Sequence, residues 1–447
     1  MRKHCSRGMS LVTIEQSKIN EDIPLFKGRA ILKLDSLSSE GDIELKYTFS
    51  SKHGTLFEFN GISTEQLMKI VNEGKTKVQI EVPALNLTSD AHIFNTNMGA
   101  LPELTGSLLK TDFKDDSKQI DALCFSVFNF PYVWAKTVRV VNGESFNVLQ
   151  FADEEFEIEL TPISNLFKVY KELKKQNGHL ITHRGILKKK DGSLFHKDDA
   201  KTVLEALGNT LSFSQGRYVD INFMTGLRSG TFLYQNFESH MCPPTDNRVT
   251  WFDDMEPDSL QSVFSGMNKL LRNDVWKDEI GKALHWYYTS LSGMAMEVSI
   301  VLNQTALELL VWCYFVEDKK IFSKTKFGPL SFYDRLKEMF KLIDRPIIKF
   351  EPRKELEGFR EKNLPDGDWL NAFTQVRNAI IHPDRKHKIE NENYRVKYNV
   401  REIGFQMIEL IILFLCEFNG KTKLSMDKPQ MNGKIIYLDF TGHGAVK

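Results

Sequence analysis

Cys242-Pro243-Pro244-Thr245-Asp246-Asn247 interrupts the chain just past its midpoint, and the texture of the sequence changes across it. Two consecutive prolines remove backbone donors and turn formers follow them, so neither a helix nor a strand runs through. Before the break lie short β-branched or aromatic runs at 28–34, 76–82, 122–128, 137–141, 156–160 and 217–223. Several alternate apolar with polar residues, and turn pairs such as Asn142-Gly143 and Asp191-Gly192 separate them. They predict an antiparallel β-rich domain over residues 1–242, with helices at 163–175 and 198–207. After the break the period lengthens to that of a helix at 258–271, 277–291, 295–315, 331–343, 368–381 and 400–418. Leu302, Ala306, Leu309, Leu310 and Cys313 recur at three- and four-residue steps, as a packed helix requires. The expected fold class is therefore α+β: a β-rich N-terminal domain, a C-terminal α-helical bundle over 243–420, and a tail over 421–447. Within that tail Lys434-Ile-Ile-Tyr-Leu-Asp-Phe440 reads as one strand returning to another element.

Composition narrows the function classes. The 447 residues are 41% hydrophobic and 26% charged, which excludes wholesale disorder and a single small module. Fifty-nine Lys plus Arg balance 59 Asp plus Glu, so a polyanion partner must be met by a local basic patch. Cys5, Cys124, Cys242, Cys313 and Cys416 lie far apart without a C-x-x-C pair, which points away from a zinc module or a disulfide framework. A reducing, cytoplasmic setting is expected. The longest apolar stretch, 403–418, is shorter than the ~20 residues a bilayer requires, and Gln406, Glu409 and Glu417 interrupt it. It reads as a buried core helix. The charged start Met1-Arg2-Lys3 is followed by no apolar segment, so no secretory signal and no membrane partner are expected.

The stretch with chemical content is Trp369-Leu-Asn-Ala-Phe-Thr-Gln-Val-Arg377-Asn378-Ala-Ile-Ile-His382-Pro383. On a helix, Leu370, Phe373, Val376 and Ile380 form a core stripe, while Asn371, Gln375, Asn378 and His382 share a polar face at i, i+4 spacing. Arg377 falls at the seam, where its stem packs and its guanidinium reaches the rim. Pro383 disfavours helical geometry at His382 and sets the imidazole at a helix terminus. Histidine moves protons near neutral pH, and the negative end of the helix dipole favours its cationic form. Arginine offers a fixed fork of donors to phosphate, and asparagine can orient either group. Together they suit metal-free RNA cleavage, in which the 2′-OH attacks the adjacent phosphorus.

At these residues the sequence resembles the HEPN superfamily, whose helical bundles carry an Arg-x(4–6)-His motif, most often Arg-Asn-x-x-x-His, near the start or end of a late helix. Arg377, Asn378 and His382 match it position by position. The whole chain also resembles ApeA-type bacterial anti-phage HEPN proteins, through Leu56-Phe-Glu-Phe-Asn-Gly61, Phe128-Asn-Phe-Pro131 and Leu211-Ser-Phe-Ser-Gln-Gly-Arg217. The resemblance implies a metal-independent endoribonuclease, requiring no cofactor, in which two protomers of a homodimer face their motifs across a composite groove. It further implies abortive defence against phage, with RNA, for example transfer RNA, as substrate and a phage-encoded protein as trigger. Arg377 would stabilise the scissile phosphate, His382 would be general acid or base, and Asn378 would orient them. A non-catalytic HEPN scaffold whose N-terminal domain binds a protein partner is the alternative.

Other strings are weighed against blander readings. Arg385, Lys386, His387 and Lys388 follow the motif, and Arg395, Lys397 and Arg401 come soon after. They form either an RNA-binding track, with Arg385, Lys386 and Lys388 as its candidates, or a solvated loop. Lys319, Lys320, Lys324 and Lys326 read as a solvated connection. Gly420-Lys421-Thr422 and Gly74-Lys75-Thr76 lack the first glycine of a phosphate loop. His179 and His183 stand four apart without a third ligand nearby, so no metal is expected there. Asp384-x-Lys386 follows a terminated helix, where a metal-dependent nuclease would need a strand. Glu308 is read as a solvent or inter-helix contact and kept outside the candidate site.

Overall fold

The computed structural model describes residues 16–34, 37–49, 54–99, 102–109, 111–114, 118–141, 143–237, 242–246, 248–343, 354–364, 366–381, 394–423 and 435–441. These fall into two compact units: the described residues of 1–132, 136–201 and 219–246 form one, and those of 133–135, 202–218 and 247–447 the other. The units are interleaved in sequence, where the sequence reading draws one boundary after Cys242.

The first unit holds two sheet systems. Strands β1 (Ile23–Leu34), β2 (Leu37–Thr48), β3 (Gly54–Asn60), β4 (Lys77–Val82), β5 (Leu87–Asn97) and β6 (Glu103–Leu108) close into a barrel of order β1-β2-β3-β6-β5-β4. Closure comes from antiparallel pairing of β1 with β4, Leu32 opposite Ile80. Alternation explains it: Val78, Ile80 and Val82 face inward with Leu32, Leu45, Tyr47, Phe57 and Phe59, all buried, while Lys27–Glu44 and Arg29–Asp42 ion pairs span the outside. Helix α1 (Thr64–Asn72) starts at a Ser63/Gln66 capping box and buries Leu67 and Ile70 in the same core.

The second system is an open antiparallel sheet. It comprises β7 (Asp112–Lys114), β8 (Ala122–Phe128), β9 (Thr137–Val141), β10 (Glu144–Ala152), β11 (Phe156–Pro162), β12 (Ile181–Lys189), β13 (Ile221–Arg228) and β14 (Thr231–Asn236), in the order β7-β14-β13-β8-β12-β11-β10-β9. Central β8 is buried on both faces, so it reads as a continuous apolar run. Helix α2 (Leu166–Lys175) connects β11 to β12. The expected strand at 217–223 is shifted: β13 begins at Ile221, because helix α3 (Lys201–Gln215) runs on to a left-handed Gly216 (φ +61°).

Residues 202–218 pack in the second unit, whose helices are α4 (Asp258–Leu271), α5 (Trp276–Leu291), α6 (Met296–Trp312), α7 (Lys324–Phe327), α8 (Phe332–Ile343), α9 (Lys354–Asn363), α10 (Trp369–Ile381) and α11 (Tyr394–Leu415). A wider π turn, Cys313–Asp318, extends α6. The expected tail strand forms as β16 (Ile436–Asp439), antiparallel to β15 (Asn419–Thr422). By length and composition the span Met296–Asp318 is long and apolar enough to cross a membrane. It serves here as the axis of the helical unit, with Ala306, Leu307, Leu310 and Val311 fully buried and α5, α8, α10 and α11 packed around it.

Close contacts among these helices are made by glycine. A Cβ on Gly266 of α4 would lie 2.1 Å from Cys416 O, and one on Gly404 of α11 would lie 2.7 Å from Asn303 Nδ2. Ser290 Oγ donates to Asn303 Oδ1 at 2.7 Å and Asn303 Nδ2 to Arg401 O at 3.1 Å, which ties α5, α6 and α11 through one buried amide.

Trp251, 0% exposed, is a second knot: its indole N–H donates to Phe213 O at the end of α3 and its backbone N–H to Glu409 Oε1 of α11. Its carbonyl accepts from Thr422 Oγ1 and Lys423 N. Tyr287 Oη of α5 also donates to Glu409 Oε1. Burial pushes the Glu409 carboxyl up to about 8, so it is protonated in the folded protein at neutral pH.

Two predictions follow from this packing. Gly266→Ala overpacks the α4–α11 contact and lowers the unfolding free energy in urea by about 3 kcal/mol, whereas Gly281→Ala, with nothing within 4 Å, is neutral or raises it by up to about 1 kcal/mol. Because the folded protein holds the Glu409 proton more tightly than the unfolded chain, its contribution is complete below pH ~4.5 and is lost as pH rises through about 8. Urea midpoints of wild type should therefore fall by several kcal/mol equivalent across that window relative to Glu409→Gln. A constant difference between the two proteins from pH 5 to 8.5 would contradict the assignment.

Candidate functional site

Helix α10 starts where Asp368 caps it. Asp368 Oδ1 accepts the backbone N–H of Asn371 at 2.8 Å, and Tyr333 Oη of α8 donates to its Oδ2 at 2.8 Å. Arg360 of α9 holds the preceding turn through Gly367 O at 3.0 Å. Leu370, Phe373 and Val376 are buried as the period requires, and Ala372, Thr374 and Ala379 are buried beside them. Ile380, assigned from sequence to the core stripe, is only half-buried, and Ile381 is exposed. The apolar face is therefore rotated toward the alanines, because α10 packs against α6, α8, α9 and α11 and not against a single partner. Asn371, Gln375 and Asn378 occupy the half-buried polar face as the spacing implies.

Arg377 lies at the rim, its side chain 22% exposed. Its Nη1 donates to Asn378 Oδ1 at 3.1 Å, and its Nη2 stands 3.8 Å from Glu308 Oε1 of α6. Glu308 Oε1 also accepts from Gln304 Nε2 at 3.0 Å. Glu308 is thus an inter-helix contact, and the contact is to Arg377. Arg377 Nε, Gln304 Oε1 and Asn371 Oδ1 are buried without a hydrogen-bond partner among the described residues. Buried polar atoms are normally satisfied, so the unpartnered Arg377 Nε of α10 and Gln304 Oε1 of α6, whose residues meet at Glu308, mark a place where polar chemistry is unfinished. The Gln304/Glu308 pair was readable in principle as two polar residues four apart on one helix face.

The structure thus brings Arg377 and Asn378 together. His382, one residue beyond the end of α10, lies outside the described residues, as do Arg385, Lys386, His387 and Lys388. Farther on, the three cations of 394–401 stand beside acids of the chain itself. Lys397 Nζ pairs with Glu297 at 2.7 Å, Arg401 with Glu402 at 2.9 Å, and Arg395 lies 3.8 Å from Glu355. Each cation sits on α11 beside a carboxylate, so little net positive field is left along 394–401. In the connection after α6, Lys324 pairs with Glu317 and Lys319 with Asp318, in keeping with a solvated linker.

His179 and His183 of the first unit are used by the fold. His179 Nε2 lies 2.8 Å from Cys242 O, and its backbone N–H donates to Asn20 Oδ1. His183 is 1% exposed, and burial brings its imidazole down to about 3, so it is neutral. Among the described residues no group of three or more His, Cys, Asp or Glu side chains is placed to hold a metal ion.

Comparison with known proteins adds two domain matches and one relative. Residues 273–435, which contain α10, match the family model described as the YopA C-terminal domain, and residues 115–248 match the YopA central domain. The barrel and α4 lie outside both stretches. A Bacillus subtilis (strain 168) protein described as SPbeta prophage-derived uncharacterized protein YopA is 26% identical over 425 residues, covering 93% of this chain and 94% of that protein. No solved structure matches.

The cap of α10 is open to test. Asp368→Ala should cost about 1 kcal/mol of unfolding free energy, and Asp368→Asn, which keeps an acceptor for Asn371 N–H, should recover most of it. Equal losses in the two variants, measured by urea denaturation, would assign the role to the Tyr333 contact instead.

Proposed function

We propose that this chain is a metal-independent endoribonuclease of the HEPN type. What carries the reading is the Arg377-Asn378-x-x-x-His382 string, with Arg377 held at the rim of α10 by Asn378 and opposite Glu308. Arginine keeps its charge and lays a planar fork of donors against phosphate oxygens, so a guanidinium already oriented by two neighbours loses little freedom when RNA arrives. The Glu308 contact is longer than a hydrogen bond, so an incoming phosphate can displace it.

In the proposed reaction the 2′-OH of the nucleotide upstream of the cut forms a bond to phosphorus, and the bond from phosphorus to the 5′ oxygen of the next nucleotide breaks. The 2′ proton passes to a base, and the leaving 5′ oxygen takes up a proton from an acid. His382 fills one of these roles, Arg377 stabilises charge on the phosphoryl oxygens, and Asn378 orients the guanidinium. Products carry a 2′,3′-cyclic phosphate and a 5′-OH. Two copies of the motif across a homodimer would supply both acid and base. A cytoplasmic anti-phage role, with transfer RNA as substrate and a phage-encoded protein as trigger, completes the proposal. The prophage origin of the Bacillus subtilis relative suits a gene that acts on phage growth.

A second reading is a non-catalytic scaffold of the same architecture whose N-terminal domain binds a protein. It is favoured by one observation: Lys397, Arg401 and Arg395 are already paired with carboxylates of the chain itself. Induced expression separates the two. The nuclease reading expects growth arrest and new 5′-OH RNA ends, both lost in Arg377→Ala and His382→Ala, with cleavage by His382→Ala down by about 10² or more and unaffected by chelator in wild type. Growth arrest that persists unchanged in both variants, or cleavage by His382→Ala at the wild-type rate, supports the scaffold.

A further inference from the structure

We propose that the outward face of α2 is a binding surface for single-stranded polynucleotide, with Lys168, Lys171 and Lys174 meeting phosphates and Phe167 offering a ring on which a base stacks. The surface belongs to the first unit and does not rest on the nuclease reading.

At 100° per residue, Leu166 and Leu173 of Leu166–Lys175 point into the fold and are buried, while Lys168, Lys171 and Lys175 lie opposite them and Phe167 and the half-buried Lys174 flank that face. One acid interrupts it, Glu172, and that carboxylate is taken by Lys175 at 2.7 Å. Among the described residues Lys168, Lys171 and Lys174 have no carboxylate within ion-pair distance. This separates them from the cations of α11, each of which has one. Phe167 is 49% exposed, Lys171 Nζ lies 4.6 Å from its ring centroid, and Lys174 Nζ lies 5.5 Å from that of Tyr170. Aromatic rings interleaved with ammonium groups at helical spacing are the elements from which sequence-tolerant single-strand binding is built.

Helix stability does not account for this face. The first turn holds no acid and instead carries Lys168 at the positive end of the dipole. Asn165 caps the helix without a side-chain hydrogen bond and in left-handed geometry (φ 59°). Lys174 and Lys175 suit the C-terminal turn, but an N-terminal lysine and an exposed phenylalanine each work against the helix. Local choices that oppose the fold are expected where a ligand is met. An anionic membrane is the lesser fit, since the apolar stripe of α2 is already consumed by the core and only one exposed ring remains to insert.

The test uses the full chain and a fluorescein-labelled 2′-O-methyl RNA of about 20 nucleotides, which has no free 2′-OH and so cannot be cleaved by 2′-OH attack, read by anisotropy across salt concentrations. Wild type should bind. Lys168→Ala/Lys171→Ala/Lys174→Ala should weaken binding about tenfold or more at 0.1 M salt and lower the slope of log K against log salt by about 2. Phe167→Ala should weaken it about tenfold with the slope unchanged, and Arg377→Ala should leave the dependence on these lysines intact. Affinity and slope retained in the triple variant would overturn the proposal. So would lysine-dependent binding to phosphatidylglycerol vesicles in place of RNA. The unfolding midpoint of Lys168→Ala should hold or rise, because a cation leaves the positive end of a helix; a fall would mark Lys168 as structural and overturn its assignment.

Discussion

A fully buried indole, Trp251, joins three stretches of the helical unit that are distant in sequence. An N–H inside a protein must find an acceptor, and the end of α3 supplies it at Phe213 O. The backbone on either side of the same residue is shared between Glu409 of α11 and the start of the terminal hairpin. From there order passes outward by contact: Glu409 fixes α11 against α5, Asn303 takes Arg401 O and fixes α11 against α6, and Glu308 of α6 faces Arg377 of α10. The candidate site therefore inherits its geometry from a polar core several side chains away. A carboxyl that has to keep its proton is part of that core, because a charge there would be costly to bury.

Most of the helices are legible in the sequence because each buries one stripe and the period survives. The ends are legible where a cap or proline marks them, as with Asp368 before α10. The barrel is not. Of its strands only 28–34 and 76–82 stand out, since Leu37-Ser-Ser-Glu-Gly and Leu87-Thr-Ser-Asp carry strands on polar residues whose pairing, and not whose composition, sets the register. Closure of β1 on β4 is a non-local event, and nothing within either segment announces it.

The candidate site divides along the same line. Arg377 and Asn378 are adjacent in sequence, and helix geometry alone places them at a rim. The partner of Arg377 comes from a helix about seventy residues earlier, so Glu308 could be named from sequence but not assigned. Charge shows the limit more sharply. Lys397 and Arg401 look like part of a basic run, yet their neutralising acids include Glu297, a hundred residues away. A cation's availability depends on its spatial neighbours, and a balanced chain can still expose cations wherever the fold withholds the acids.

The membership of α3 in the helical unit has a consequence for biosynthesis. Val203, Leu207, Leu211 and Phe213 leave the ribosome before Trp251 and Tyr287, against which Phe213 packs, so this amphipathic segment waits until residues 38 and 74 positions further on have been made. The sheet strands on either side of it can pair in the meantime and hold it out as a loop. A nascent chain stalled or cleaved in that interval would display an apolar helix with nothing to cover it, a natural handle for chaperones and proteases.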